Sequence, residues 1–110
     1  MPVVKASPAD AGCWIDGHWG QYGTARQIVI AGDYGYPNAE VVALAQKKLA
    51  TIGPNVNNNP ELTDDEEEEL YWRSDEVDDW LNENVAPKGF SFGWHDGEFF
   101  LGSDEWWDEV

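Results

Sequence analysis

Hydrophobic positions recur at helical spacing near the N-terminus. One face of a helix is indicated by four residues at the spacing i, i+3, i+7 and i+10, namely Tyr22, Ala25, Val29 and Gly32. Ile28 and Ile30 broaden this face, so the pattern predicts a well-buried first helix over residues 20–34.

A second stripe follows after a short link. Asn38 is a suitable N-cap, and Gly53 followed by Pro54 is a helix stop. The stripe consists of Val41, Leu44, Ala45, Leu49 and Ile52. Because so few residues separate the two stripes, the sequence predicts a helical hairpin.

The third helical stretch is acidic and begins with a capping box of Thr63 and Glu66. One narrow stripe contains Leu70, Val77, Leu81 and Val85, with Trp80 at its flank. The opposite arc contains Asp64, Asp65, Glu68, Glu69, Asp75, Glu76, Asp79 and Glu83, with Trp72 at its centre. This pattern predicts one long helix over residues 63–85. The alternative is two helices broken at Ser74, which would turn Trp72 into the core.

The segment "GFSFGWHDGEFFLG" alternates apolar residues around Asp96-Gly97, the preferred dipeptide of a type I′ hairpin turn. This turn pairs His95 with Glu98, Trp94 with Phe99, and Phe92 with Leu101. Opposed residues share a face, so an apolar face forms from Phe90, Phe92, Trp94, Phe99 and Leu101. A lone hairpin is marginal in water, so we expect this face to pack on the helices.

These elements predict an α+β fold: a helical hairpin plus a long acidic helix packed against a C-terminal two-stranded β-hairpin. At 110 residues the chain is expected to form one domain. We place a loose lead-in at residues 1–11, the domain at 12–102 and an acidic-aromatic tail at 103–110. The tail is either a helical turn capped by Ser103 or a mobile end.

The stretch "GCWIDGHWGQYG" contains the only cysteine and raises a metal or catalytic hypothesis for Cys13, Asp16 and His18, joined by His95. Structural zinc sites draw on paired Cys or His ligands at recognisable spacings, and the sequence has no second cysteine. A catalytic Cys–His pair would need the two groups within hydrogen-bond reach and a third group to orient them, and nothing in the sequence specifies that arrangement. We therefore expect an architectural segment in which Asp16 caps the first helix, Cys13 is buried, and core anchors are provided by Trp14, Ile15 and Trp19. We predict no metal and no cofactor. His95 is expected to form a cross-strand polar pair with Glu98.

The net charge of −16 is confined to one half of the chain. Residues 1–60 contain four acidic and four basic residues, whereas residues 61–110 contain the other 18 acidic residues and only Arg73 and Lys88 as bases. Such a field disfavours direct binding to nucleic acid or anionic membranes and favours a basic partner. No apolar run approaches the ~18 residues of a membrane span, and no signal peptide is evident, so we expect a cytoplasmic protein.

An exposed tryptophan among carboxylates is unfavourable unless a partner covers it, and such aromatics are frequent interaction hot spots. Trp72 is predicted to be such a residue. Trp106 and Trp107 also lie among carboxylates, in the tail, where they either fold back over the hairpin or form an exposed acidic-aromatic end that binds a partner. The predicted partner-binding residues are Asp64, Asp65, Glu68, Glu69, Trp72, Asp75, Glu76, Asp79, Glu83, Trp106 and Trp107.

Two segments, "GCWIDGHWGQYG" and "VAPKGFSFGWHDGEFFL", resemble small uncharacterised acidic proteins encoded by phages and prophages of actinobacteria. The resemblance covers about a quarter of the chain and contains no catalytic motif. The resemblance implies that the protein functions in a bacterial cytoplasm. It also leads us to expect that the protein acts on host proteins. It implies no activity and no site residue.

The sequence thus favours a non-enzymatic acidic protein that docks on a basic surface of a host protein, with a nucleic-acid-binding surface as one candidate, and inhibits or modulates it. The first alternative is a structural or assembly protein that forms a homodimer through aromatic surface, with its acids serving solubility only. The second is a metal protein or enzyme centred on Cys13, His18 and His95.

Overall fold

The computed structural model describes residues 5–17, 19, 21–51 and 62–110. The chain runs through a short 3-10 turn (Pro8–Asp10), β1 (Gly12–Ile15), α1 (Gln21–Asp33), α2 (Ala39–Leu49), α3 (Asp64–Asn84), β2 (Phe90–His95), β3 (Glu98–Ser103) and α4 (Asp104–Glu109). The predicted α+β class is confirmed.

The strands form one antiparallel sheet in the order β1-β3-β2. β2 and β3 pair in the predicted register, with His95 opposite Glu98. Asp96 and Gly97 at the turn have φ angles of 51° and 82°, the left-handed values that a type I′ turn requires at both central positions. The hairpin prediction is confirmed.

The sheet has a third strand in addition to the predicted hairpin, because Gly12–Ile15 pairs with β3 rather than forming the predicted approach to a helix. Cys13 pairs with Phe100 and Ile15 with Phe99, so Trp14 is an extra residue in a β-bulge. The bulge allows Trp14 to pack edge-on against Phe92 while its neighbour Ile15 is fully buried. Because α1 begins only at Gln21, Asp16 is too far away to cap it. Cys13 is exposed rather than buried.

The buried face of α1 is displaced from the predicted one. Ala25, Ile28 and Ala31 are buried, whereas Tyr22 and Val29 are only partly covered. In α2, Val41 and Ala45 are buried as predicted, and the side chain of Asn38 caps the helix by accepting from the Val41 N–H at 3.2 Å. The predicted helix end at Ile52, Gly53 and Pro54 lies outside the described residues.

Helix α3 is continuous over 21 residues and does not break at Ser74. The Ser74 hydroxyl donates to the Tyr71 carbonyl one turn earlier, which satisfies it within the helix. The predicted capping box of Thr63 and Glu66 is present. The predicted stripe is buried at each of its positions, namely Leu70, Val77, Leu81 and Val85.

The core lies between the sheet and the first three helices. Phe92, Phe99 and Leu101 project from one sheet face into the cluster formed by the buried residues of α1, α2 and α3. Helix α4 covers the opposite face. Its Trp106 lies over Gly102 and its Trp107 over Gly93, two positions where the missing side chain leaves room for an indole.

The predicted lead-in is anchored in its described part. Ala6 is buried, and its N–H donates to the Val85 carbonyl at the end of α3 at 2.8 Å. The outer edge of β2 is also attached to α3, because the Asn82 side chain accepts from the Phe92 N–H at 2.6 Å and donates to the Phe92 carbonyl at 3.3 Å.

Candidate interaction surface

Seven predicted site residues lie together on the outer side of α3. At about 100° of rotation per residue they fall opposite the stripe of Leu70, Val77 and Leu81. We call this set the α3 surface; it consists of Asp64, Asp65, Glu68, Trp72, Asp75, Asp79 and Glu83, each of which is exposed. The 21-residue helix is about 30 Å long at roughly 1.5 Å per residue.

The remaining five acids of α3 have partners within the protein, either on other elements or on α3 itself. Glu66 pairs with Lys47 at 3.1 Å and Glu67 with Lys48 at 2.5 Å, both across the α2–α3 interface. Arg73 bridges Glu69 and Glu76 at 2.8 and 3.0 Å. Asp78 accepts from the side-chain amide of Gln27. By contrast, none of the six carboxylates of the α3 surface forms an ion pair with any described residue.

Glu69 and Glu76 were predicted as partner-binding residues, and the structure places them at the border of the α3 surface with internal partners. Glu76 accepts a hydrogen bond from the Tyr36 hydroxyl at 2.7 Å. That bond, followed by Arg73, lowers the pKa of Glu76, while burial and the Glu76 contact raise the pKa of Tyr36. These two carboxylates are less free to bind a partner than those on the outer arc.

Two aromatic side chains stand exposed at the middle of α3. Trp72 is 72% exposed and Tyr71 is 71% exposed, and their rings meet edge to face at 5.6 Å between centroids. Glu68 and Asp75 lie one turn to either side of Trp72, so the indole is flanked by unpaired carboxylates. The sequence analysis missed Tyr71, although its position next to Trp72 in a surface stretch was a visible signal.

A groove of about 360 Å³ adjoins Tyr71 where α1, α2 and α3 meet. Ala25 and Leu70 contribute its apolar floor, and Glu67 and Glu68 contribute acidic groups to its lining. The ammonium of Lys48 lies 5.0 Å from the centroid of the Tyr22 ring and pairs with Glu67, so this charge is satisfied internally. The aromatic pair thus lies between the carboxylates of the α3 surface and a shallow apolar depression.

Trp106 and Trp107 do not join the α3 surface. Both are half-buried on the far side of the sheet, where their rings contact each other at 4.7 Å between centroids. The Trp107 indole N–H donates to the Ser91 carbonyl at 2.9 Å, and Ser103 caps α4 by accepting from the Trp106 N–H. Of the two alternatives for the tail, the helical turn that folds back over the hairpin is correct.

The cysteine-containing segment gives no metal-ligand cluster in the described part of the chain. Within those residues no group of three or more His, Cys, Asp or Glu side chains is placed to hold a metal ion. His18 lies outside them, and His95 lies beside the hairpin turn, 3.4 Å from the Asp96 carboxylate. Glu98 accepts from the Gly17 N–H at 2.7 Å. Partial desolvation of the exposed thiol, and then the charges of Glu98 and Asp16, raise the pKa of Cys13, which is the opposite of what an activated thiolate needs.

Comparison of the chain with protein-family models, with curated proteins and with solved structures found no significant match. Among the described residues, no helix combines the length and the apolar character that crossing a membrane would require.

Proposed function

We propose that this protein is a non-enzymatic binding protein whose α3 surface docks on a basic surface of another protein and thereby inhibits or modulates it. The observation that carries the proposal is the separation of the acids of α3 into two groups. Five carboxylates have partners within the protein, whereas the six exposed carboxylates around Trp72 form no ion pair with any residue that the structure describes.

The electrostatic part of the proposal follows from charge density. The 11 acids of α3 give about one charge per 3 Å of helix, close to the roughly 3.4 Å between phosphates along one DNA strand. Internal pairing reduces this density, since six carboxylates over about 30 Å remain free, or about one per 5 Å. Such a row suits a groove that normally accepts nucleic acid, and the acidic protein would compete with the nucleic acid for it.

Trp72 supplies the anchoring part of the proposal. Charged rims steer association, while most binding energy comes from a few central aromatic or arginine residues that become desolvated. Trp72 lies near the middle of the helix with three unpaired carboxylates on either side. Arg and Lys side chains of a partner could pair with these carboxylates and stack on the indole face.

The same arrangement argues against the homodimer alternative at this surface. A two-fold dimer places the same patch of both copies together, so it would bring six unpaired carboxylates against six others without bases to pair them. Trp106 and Trp107 already pack on Gly102 and Gly93, so only part of each ring is left for association. A basic heterologous partner is therefore the better candidate, and a protein of a phage host is the proposed source.

The test compares two variants with the same change of charge. The surface variant carries Asp65→Asn, Glu68→Gln, Asp75→Asn and Asp79→Asn, and the control carries Asp33→Asn, Glu40→Gln, Asp108→Asn and Glu109→Gln. Affinity capture from an actinobacterial lysate is followed by binding measurements on the purified partner at low and high ionic strength. We expect capture by the native chain and by the control, loss with the surface variant, release by salt and competition by duplex DNA. Equal losses with both variants, or no basic partner at low salt, would contradict the proposal.

A further inference from the structure

In a buried polar contact between Gln27 of α1 and Asp78 of α3, one hydrogen-bond acceptor has no donor among the described residues. Gln27 in the middle of α1 has 0% of its surface exposed. Its amide N–H donates to one carboxylate oxygen of Asp78 on α3, whereas its carbonyl oxygen Oε1 is the buried side-chain atom with no hydrogen-bond partner among the described residues. A buried acceptor without a donor is destabilising, so this unpaired oxygen calls for a physical explanation.

Asp78 lies where its negative charge is poorly supported. From α1 it faces the neutral Gln27 amide, and from β2 it faces the indole N–H of Trp94. The charges that act on it come from its own helix and are both negative, Asp75 and Asp79. Among the residues that the structure covers, no base pairs with it. Burial first, and then these two carboxylates, raise the pKa of Asp78, although the hydrogen bonds from Gln27 and Trp94 partly oppose them.

Protonation of Asp78 would both supply a donor to Oε1 of Gln27 and remove the unpaired negative charge. An ionised carboxylate has only acceptors and cannot bond Oε1 of Gln27. A protonated carboxyl can accept from the Gln27 amide through one oxygen and donate to Oε1 through the other, which closes a ring of two hydrogen bonds. Rotating the Gln27 amide does not help the ionised form, because it would turn Oε1 toward the negative charge.

We propose that Asp78 binds a proton in the folded protein and forms a doubly hydrogen-bonded acid–amide pair with Gln27, so that the α1–α3 contact is a pH-sensitive joint. In the protonated state both polar groups are satisfied. Loss of the proton leaves Oε1 of Gln27 unpaired and adds a third adjacent negative charge on this part of α3.

The direction of the pH effect follows from linkage. A carboxyl whose pKa is higher in the folded than in the unfolded chain binds protons more tightly when folded. Its stabilising contribution is complete below the ordinary pKa of about 3.9 for an aspartate and is lost as pH rises through the higher folded value. The joint is therefore strongest at acidic pH and weakens as the pH rises through the folded pKa of Asp78.

The decisive variant is Asp78→Asn, because an asparagine amide reproduces the donor and acceptor of a protonated aspartate. We expect its melting temperature to exceed that of the native chain at a pH above the folded pKa of Asp78, and the difference to shrink as the pH falls through that pKa toward the unfolded aspartate range. Asp79→Asn is the matched control, since it removes the neighbouring charge from an exposed position. A lower melting temperature for Asp78→Asn at every pH, or the same pH profile in both variants, would overturn the proposal.

A second measurement uses the native chain and does not depend on how a variant folds. The side-chain carboxyl carbon of Asp78, followed by carbon-detected NMR through a pH series, should titrate above the ordinary aspartate range. The amide protons of Gln27 should shift with the same midpoint. A carboxyl carbon that titrates at or below the ordinary value would refute the acid–amide pair.

Discussion

Trp72 combines high exposure with an environment that disfavours it. A helix that needed the indole for folding would bury it, yet 72% of Trp72 is exposed and its described ring contact is the equally exposed Tyr71. Stability therefore gives no reason for a tryptophan at this position. A role in binding does, because desolvating a large ring at the centre of a polar rim is how interface hot spots gain their energy.

Replacement of Trp72 by alanine should separate binding from folding. We expect little change in unfolding free energy, within about 0.5 kcal/mol as for other surface substitutions, because few contacts are lost. Affinity for the partner should fall by about 2 kcal/mol or more, the range of a hot spot. Titration calorimetry and chemical denaturation measure the two quantities. Trp72→Phe, which keeps an aromatic ring, should retain more affinity; equal binding by the alanine variant and the native chain would exclude Trp72 as the anchor.

At the scale of elements, α4 shows how glycines on two neighbouring strands, β2 and β3, accommodate a helix. A Cβ added to Gly102 would lie 2.5 Å from the Trp106 ring, and one added to Gly93 would lie 3.0 Å from the Trp107 ring. The two indoles can therefore lie directly on the sheet backbone. This contact holds the C-terminal helix against the face opposite the core.

Gly102→Ala should loosen α4 through this overlap. We expect a loss of about 1–3 kcal/mol in unfolding free energy, the usual cost of overpacking, together with a red shift of the tryptophan fluorescence as Trp106 becomes more exposed. Urea denaturation measures the loss. In a chain that already carries Trp106→Ala, the same glycine substitution should have almost no effect, because the clashing ring is absent. Equal costs in both backgrounds would show that the effect comes from the strand and not from α4.

The elements differ in how far local sequence determined them. The β2–β3 hairpin and α3 follow from signals within their own segments: the Asp96-Gly97 turn, the capping box at Thr63, and the stripe from Leu70 to Val85. Strand β1 has no such signal, since its four residues become a strand only by pairing with β3 near the other end of the chain. Its Trp14 bulge also breaks the alternation that identifies strands.

The candidate site was predictable to a similar extent. The outer arc of α3 follows from helix periodicity, so the six unpaired carboxylates and Trp72 were found from sequence. Which acids are internally neutralised was predictable only in part: Arg73 lies one helical turn from Glu69 and from Glu76, whereas Lys47, Lys48 and Tyr36 come from α2 and the preceding loop. Lys48 is buried on the inner side of α2, a position that periodicity alone assigns to an apolar residue. The inward packing of Trp106 and Trp107 likewise depends on contacts with β2 and β3.

At the scale of the whole molecule, repulsion among like charges opposes folding. The chain carries 22 acidic residues against six Lys and Arg, and four salt bridges in the described residues already use Lys47, Lys48 and Arg73. The unpaired carboxylates of the α3 surface crowd together in the folded state and separate in the unfolded chain. Mobile cations can screen this repulsion without any specific site.

Salt should therefore raise the melting temperature, most steeply at low ionic strength, where screening changes fastest. Calorimetry in sodium chloride at neutral pH measures the effect, and tetramethylammonium chloride tests whether it depends on ionic strength alone. The four-substitution surface variant should melt higher than the native chain in low salt and respond less to added salt. A melting temperature that falls with salt would mean that the internal ion pairs outweigh the repulsion.

The contact between Asn82 and Phe92 has a consequence for behaviour at high concentration. Residues of an antiparallel pair alternate between bonding the partner strand and pointing away from it, and Phe92 points its N–H and C=O away from β3. Because the Asn82 amide occupies both groups, it fills the place that a strand from a neighbouring molecule would take. Helix α3 thus covers the edge of the sheet at Phe92 of β2. The carboxylates of α3 also repel a second copy of this acidic chain that approaches the same edge. Fibril growth by stacking at this margin is blocked twice, once by hydrogen bonding and once by charge.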